Sequence, residues 1–268
     1  AMGEYYEKVR DRFIRYAKIH TESIANVTDT PTSLRQFDLA RVLYEELREL
    51  GVSDVWLDEV NCVVYGCVPS NLPDGGGEAV AFIGHMDTSP DITGENVRPW
   101  VLEGYDGGDI TLNQDLGIVM KAEDYPNLRQ YIGQDLILTD GTTLLGGDDK
   151  AAVAAIVTLA DFLLTHPEIK HGPVMLAFTP DEEVGRLAEN LDIKRLGAKV
   201  AYTVDGPSLG VYSYETFNAA EAQLTIHGRN VHPGTAKNIM KNAIEIGGEF
   251  MEMLPRFERP QYTEGREG

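Results

Sequence analysis

Four short segments combine residue types that can bind a divalent cation: Gly84-His85-Met86-Asp87-Thr88, Gly147-Asp148-Asp149-Lys150, Thr179-Pro180-Asp181-Glu182-Glu183 and Val204-Asp205-Gly206. Imidazole nitrogen together with carboxylate oxygen is a zinc-type donor mix, whereas calcium and magnesium favour oxygen-only shells. His85 and Asp87 are two apart, so in an extended chain both side chains face the same way. His85 can then ligate through one ring nitrogen while Asp87 orients the ring or a neighbouring ligand. Asp148 and Asp149 either cap the helix they open and complement its dipole, or supply a carboxylate that bridges two cations. Glu182 and Glu183 leave one turn in different directions. One can ligate while the other stays free as general base beside an activated water. Asp205 is a turn former or a further ligand. Each segment alone has an ordinary explanation as a solvated His, a helix cap, a surface Glu pair or a turn, but their co-occurrence points to a metal centre.

The elements that must position these residues follow from apolar periodicity. Val80–Ile83 lies in a continuous apolar run, as do Val174–Phe178 and Val200–Val204, and each run predicts a buried strand that empties into one of the acidic segments. Ala151–Leu164 is the clearest helix, with Gly146–Lys150 at its N-terminus. Two more helices are predicted over Tyr5–His20 and about Ser33–Leu50, the second stopped by Gly51. Asp54–Val60 and Asn61–Val68 read as strands, and Thr88–Gly141 as an irregular excursion carrying short strands. The expected fold class is α/β: an open, mostly parallel sheet with helices on both faces and its site along the carboxyl edge. After Pro207 the pattern changes, with a strand expected over Asn218–Gly228 and an amphipathic helix over Asn238–Leu254. The expected division is residues 1–207 as the metal-bearing domain and 208–268 as the start of a small α+β lid or dimerisation-type domain.

Bulk properties narrow the function. A net charge of -20 over 268 residues argues against nucleic-acid or anionic-membrane partners, because a protein facing phosphate needs a basic surface. No run approaches membrane-spanning length. The two cysteines, Cys62 and Cys67, have an odd spacing that points them to opposite faces of a strand, so no disulfide between them is expected. With no N-terminal apolar signal segment, a cytoplasmic location is expected. Ala1 before Met2 reads as an expression remnant. His-Glu-x-x-His, Gly-x-Ser-x-Gly and P-loop patterns are absent. His232, in Asn230-Val231-His232-Pro233-Gly234-Thr235, lies beyond the metal segments in a Gly/Pro turn.

Five stretches together resemble peptidase T, within the broad family of dizinc amino- and carboxypeptidases: Gly84–Asp91, Thr142–Lys150, Ala177–Gly185, Tyr202–Gly206 and Asn230–Lys237. The resemblance is collinear over nearly the whole chain. It implies a cytoplasmic tripeptide aminopeptidase that uses two zinc ions, takes small peptides and can form a homo-oligomer. It further implies that His85 and Asp205 ligate one zinc, that Asp148 bridges both, and that Glu183 ligates the second. Asp87 would support His85, Glu182 would be the general base, and His232, from the lid domain, would help hold the tetrahedral intermediate or the substrate's carbonyl oxygen. Two departures stand out. Arg186-Leu187 follows Glu-Glu-Val-Gly where the family pattern carries another glycine, and family members continue past Gly268 to a last zinc-ligating histidine. The chain is therefore expected to be a fragment that binds the second metal weakly and has little activity. The competing readings are a magnesium- or manganese-dependent phosphohydrolase using the same acidic edge, and a non-catalytic binding module.

Overall fold

The computed structural model describes residues 2–206, 208–216, 218, 220 and 222–265. In chain order the elements of the larger part are α1 (Met2–Ala17), α2 (Gln36–Leu50), β1 (Ser53–Asp58), β2 (Val63–Val68), β3 (Val80–His85), β4 (Trp100–Leu102), β5 (Ile110–Asn113), β6 (Ile118–Met120), β7 (Leu136–Leu138), α3 (Gly147–Thr165), β8 (Val174–Thr179), α4 (Leu187–Asn190), α5 (Ile193–Leu196) and β9 (Val200–Thr203). Helix α6 (Ala243–Met253) follows. The chain forms two compact units, residues 1–212 and 213–268.

Five strands form the main sheet in the order β1-β2-β8-β3-β9. The expected α/β class is present, and the sheet is mixed: β8–β3 and β3–β9 are parallel, while β1–β2 and β2–β8 are antiparallel. Side-chain alternation with period two builds a core on each face. On one face Val64, Val68, Leu176 and Phe178 meet Phe13 and Tyr16 of α1, Leu39, Leu43 and Leu47 of α2, and Val153 and Val157 of α3. On the other, Val63, Tyr65, Ala81, Ile83 and Ala177 meet Leu196 of the short α5. Leu39, Leu43 and Leu47 are fully buried at helical spacing, and each such side chain contributes roughly 1.5–3 kcal/mol relative to exposure. Gly51 ends α2 in the left-handed region at φ 86°, and its N–H reaches the carbonyls of Arg48 and Leu47. Gly66 lets α2 and its following turn lie close on the sheet, since a Cβ there would come 2.9 Å from Val52 Cγ1.

Several expectations need adjustment. β9 was expected to be a third buried strand, but Val200 and Tyr202 are 46% and 49% exposed. Among the described residues it is the edge strand, with β3 as its one neighbour, so an apolar run there is only partly covered. The 88–141 excursion does carry short strands, paired as β4–β7 and β5–β6 around a small core of Tyr105, Ile110 and Leu138. Cys62 is fully buried in the turn before β2 and Cys67 is half-buried; both are free thiols.

In the second unit, part of the strand expected over Asn218–Gly228 lies outside the described residues. Residues 222–228 form no strand, because a strand needs a ladder partner and the pairing is a single bridge between Arg229 and Lys241. The expected helix begins at Ala243 rather than Asn238, because Asn238 is left-handed at φ 62° and Asn242 caps α6 by accepting from Ile244 N. Among the described residues no helix is long and apolar enough to cross a membrane.

Candidate metal centre

Because β8, β3 and β9 run parallel, their carboxyl ends share one sheet edge, with His85 in register with Thr179 and Ile83 in register with Thr203. The chain leaves that edge through Met86-Asp87, through Pro180–Glu183 and through Val204-Asp205. Helix α3 packs on β3 and brings its first residues to the same place. Asp148 and Asp149 have non-helical backbone angles, so regular helix begins after them, and the peptide bond between them is cis.

His85 is the hub. It is 2% exposed, and its Nε2 lies 2.9 Å from Asp148 Oδ1, 3.7 Å from Glu182 Oε2 and 3.8 Å from Asp205 Oδ2. Behind the ring, Nδ1 lies 2.9 Å from the Asp87 carbonyl oxygen and 3.2 Å from Asp87 Oδ1. The Asp87 carboxylate is fully buried and accepts from Glu182 N at 3.0 Å and Glu183 N at 3.1 Å. One carboxylate thus ties the histidine of β3 to the acidic turn after β8. The two neighbouring aspartates divide: Asp148 is exposed and faces His85, while Asp149 is buried and accepts the His85 N–H at 3.1 Å. Asp149 in that supporting position is something spacing did not announce.

Electrostatics mark the cluster as short of positive charge. Burial alone would lower the His85 pKa, but the Asp87 hydrogen bond and the charges of Asp87, Asp149 and Glu182 push it up to about 10. Burial pushes Asp149 up to about 8, against the pull of His85. Burial and then repulsion from Asp148 push Glu183 up to about 7, and burial raises Glu182 as well. Burial lowers Lys150 to about 7, and its Nζ donates to the Ile19 carbonyl at 2.6 Å.

The residues fit a divalent cation. Ligand atoms of His85, Asp148 and Asp205 all lie within 4.8 Å of one another. Donors bound at about 2.0–2.1 Å in tetrahedral geometry sit roughly 3.3 Å apart, and the distances from Nε2 to Asp148 and Asp205, 2.9 and 3.8 Å, bracket that spacing. A cation would also relieve the carboxylate repulsion that adds to burial in raising Glu182 and Glu183. His232, the remaining expected site residue, belongs to the second unit, where its Nδ1 accepts from Gly234 N at 3.0 Å.

Over 262 residues the chain is 51% identical to peptidase T of Geobacillus kaustophilus, and 50% identical to peptidase T of Clostridium acetobutylicum. Each alignment covers 98% of this chain. The chain is similar to peptidase T over nearly its whole length. It spans 63% and 64% of the length of those two relatives. A family profile described as a peptidase dimerisation domain matches residues 214–268. Among solved structures, the fold is shared with the aminopeptidase PepT of Bacillus cereus (TM-score 0.55, 22% identity, 93% of this chain and 57% of that one). It is shared equally with a tripeptidase of Staphylococcus aureus (TM-score 0.57, 20% identity, 96% and 58%).

Proposed function

We propose that this chain carries the metal-binding part of a zinc aminopeptidase that removes the N-terminal residue from tripeptides. The observation that carries this reading is the convergence of His85, Asp148, Glu182 and Asp205 at one sheet edge, with Asp87 holding both the ring of His85 and the turn of Glu182. His85 and Asp205 would hold one zinc, Asp148 would serve both, and Glu183 would serve the second. When bound, such ions lower the pKa of water and polarise a carbonyl. Asp87 fixes the tautomer of His85, because an acceptor at Nδ1 keeps the proton there and leaves Nε2 free to ligate. Glu182, raised above an ordinary carboxylate by burial, accepts the proton of the attacking water at its carboxylate oxygen and returns it to the departing amine. His232 is assigned to the substrate's carbonyl oxygen.

In this reading residues 1–207 form the metal-bearing domain and 208–268 begin a lid or dimerisation domain in a cytoplasmic homo-oligomer. The relatives' peptidase names and the dimerisation profile over 214–268 support it. The test is zinc titration by calorimetry on the wild type and on His85→Ala, alongside Ala-Ala-Ala hydrolysis and a phosphate-ester assay. Zinc binding that disappears in H85A, with no phosphate-ester turnover and any weak cleavage confined to the peptide, is the expected result. Unaltered zinc binding in H85A, or turnover of the phosphate ester alone, would sink the reading.

A further inference from the structure

The acidic turn after β8 begins with a carboxylate whose hydrogen bonds go to Thr32 and Gln36. Asp181 is fully buried, and its Oδ1 accepts from Thr32 Oγ1 at 2.6 Å, Gln36 Nε2 at 2.7 Å and Thr32 N at 3.1 Å. Its own N–H donates to Gln36 Oε1 at 3.1 Å, closing a reciprocal pair across 145 residues of sequence. The backbone of Asp181 is left-handed at φ 59°, a conformation uncommon for L-residues and best tolerated, after glycine, by Asn and Asp. Thr32 and Gln36 offer it neutral donors, and among the described residues it forms no salt bridge. Five residues on, Arg186 N donates to the Asp181 carbonyl at 2.9 Å. The Arg186 guanidinium reaches the Asp29 carbonyl and Thr30 Oγ1, each at 2.7 Å. The turn that carries Glu182 and Glu183 is therefore held at both ends by the segment leading into α2.

We propose that Asp181 is a positioning residue: gripped by Thr32 and Gln36, it locks the left-handed start of the turn so that the N–H groups of Glu182 and Glu183 both meet Asp87. The chain reversal at Asp181 sets the direction in which the next two amides point. Those amides share the Asp87 carboxylate with His85, so a slack turn would also loosen the ring. Arg186 supplies the second tether. The zinc arm of the test below rests on the metal-centre reading; the amide arm does not.

The variants are Asp181→Gly, which tolerates the left-handed backbone but removes the carboxylate, and Asp181→Asn, which keeps an acceptor and also tolerates it. Thr32→Val, which removes one donor, serves if D181G does not fold. In metal-free protein, amide exchange at Glu182 and Glu183 is expected to quicken about tenfold or more in D181G or T32V, with Leu176–Phe178 amides unchanged. D181N should stay near wild type. Zinc affinity is expected to fall about tenfold alongside, in the range for loss of outer-shell support. Unchanged Glu182 and Glu183 exchange, or a uniform quickening through β8, would overturn the proposal. A wild type that binds no zinc would defeat the metal reading while leaving the amide arm to decide this one.

Discussion

At the residue scale the decisive group is His85, whose Nε2 must be free of a proton to ligate. In the metal-free protein its pKa is pushed up to about 10, and that of Glu183 to about 7. Near neutral pH, zinc must therefore displace a proton from His85. Calorimetry in buffers of differing ionisation enthalpy should show about one proton released per zinc. Affinity should rise up to about tenfold per pH unit until His85 titrates. A binding heat independent of buffer would contradict this. The same shifts set the stability of the metal-free form. The folded pKa of His85 lies above its unfolded value, so its stabilisation is complete below about 6.5 and is lost as pH rises through about 10. Asp149, raised to about 8, costs progressively more once pH exceeds its unfolded value near 3.8. Both trends have one sign: urea midpoints of the metal-free protein should be lower at about pH 9 than at about pH 6.

At the element scale, helix caps offer a clean test because they separate backbone conformation from packing. Gly51 is left-handed, and nothing lies within 4 Å of where a Cβ would go. Gly51→Ala should therefore cost about 1 kcal/mol by denaturant unfolding, from the left-handed backbone alone. A loss near zero would mean that α2 ends differently. The sequence exposed this element and its stop, because amphipathic spacing and a C-terminal glycine are local signals. It also located β3, β8, α3 and β9, and with them His85, Glu182, Asp148 and Asp205. What it could not show is long-range. Nothing local marks β9 as an edge, since an apolar run reads the same whether or not a neighbour covers it. Nothing local pairs Asp181 with Gln36 or Asp149 with the His85 amide, since those partners lie 145 and 64 residues apart. The 222–228 strand failed for the related reason that alternation indicates a face and supplies no pairing partner.

At the scale of the whole molecule, the chain passes from one compact unit to the other along a stretch with little regular structure. Leu209, Tyr212 and Tyr214 there are 104%, 74% and 83% exposed, and residues 208–216 contain no helix or strand. Brief chymotrypsin treatment should cut first within 208–216, before any site inside the 1–206 sheet and its helices. Initial cleavage inside α3 or β8 would contradict that ranking of local stability. The charge of -20 adds a uniform repulsion between copies, screened over about 10 Å at 0.1 M salt, so any self-association should strengthen as salt is added.

The two thiols report on different depths of the same sheet. Burial raises the pKa of both, more strongly for Cys62, which is sealed in the turn before β2, than for half-buried Cys67. A thiol-reactive dye would therefore run on two clocks. Cys67 would react at a pace set by its own ionisation and access, and Cys62 only as often as α2 and the sheet part company. The ratio of the two rates makes the native protein a gauge of its own opening, with no engineered label.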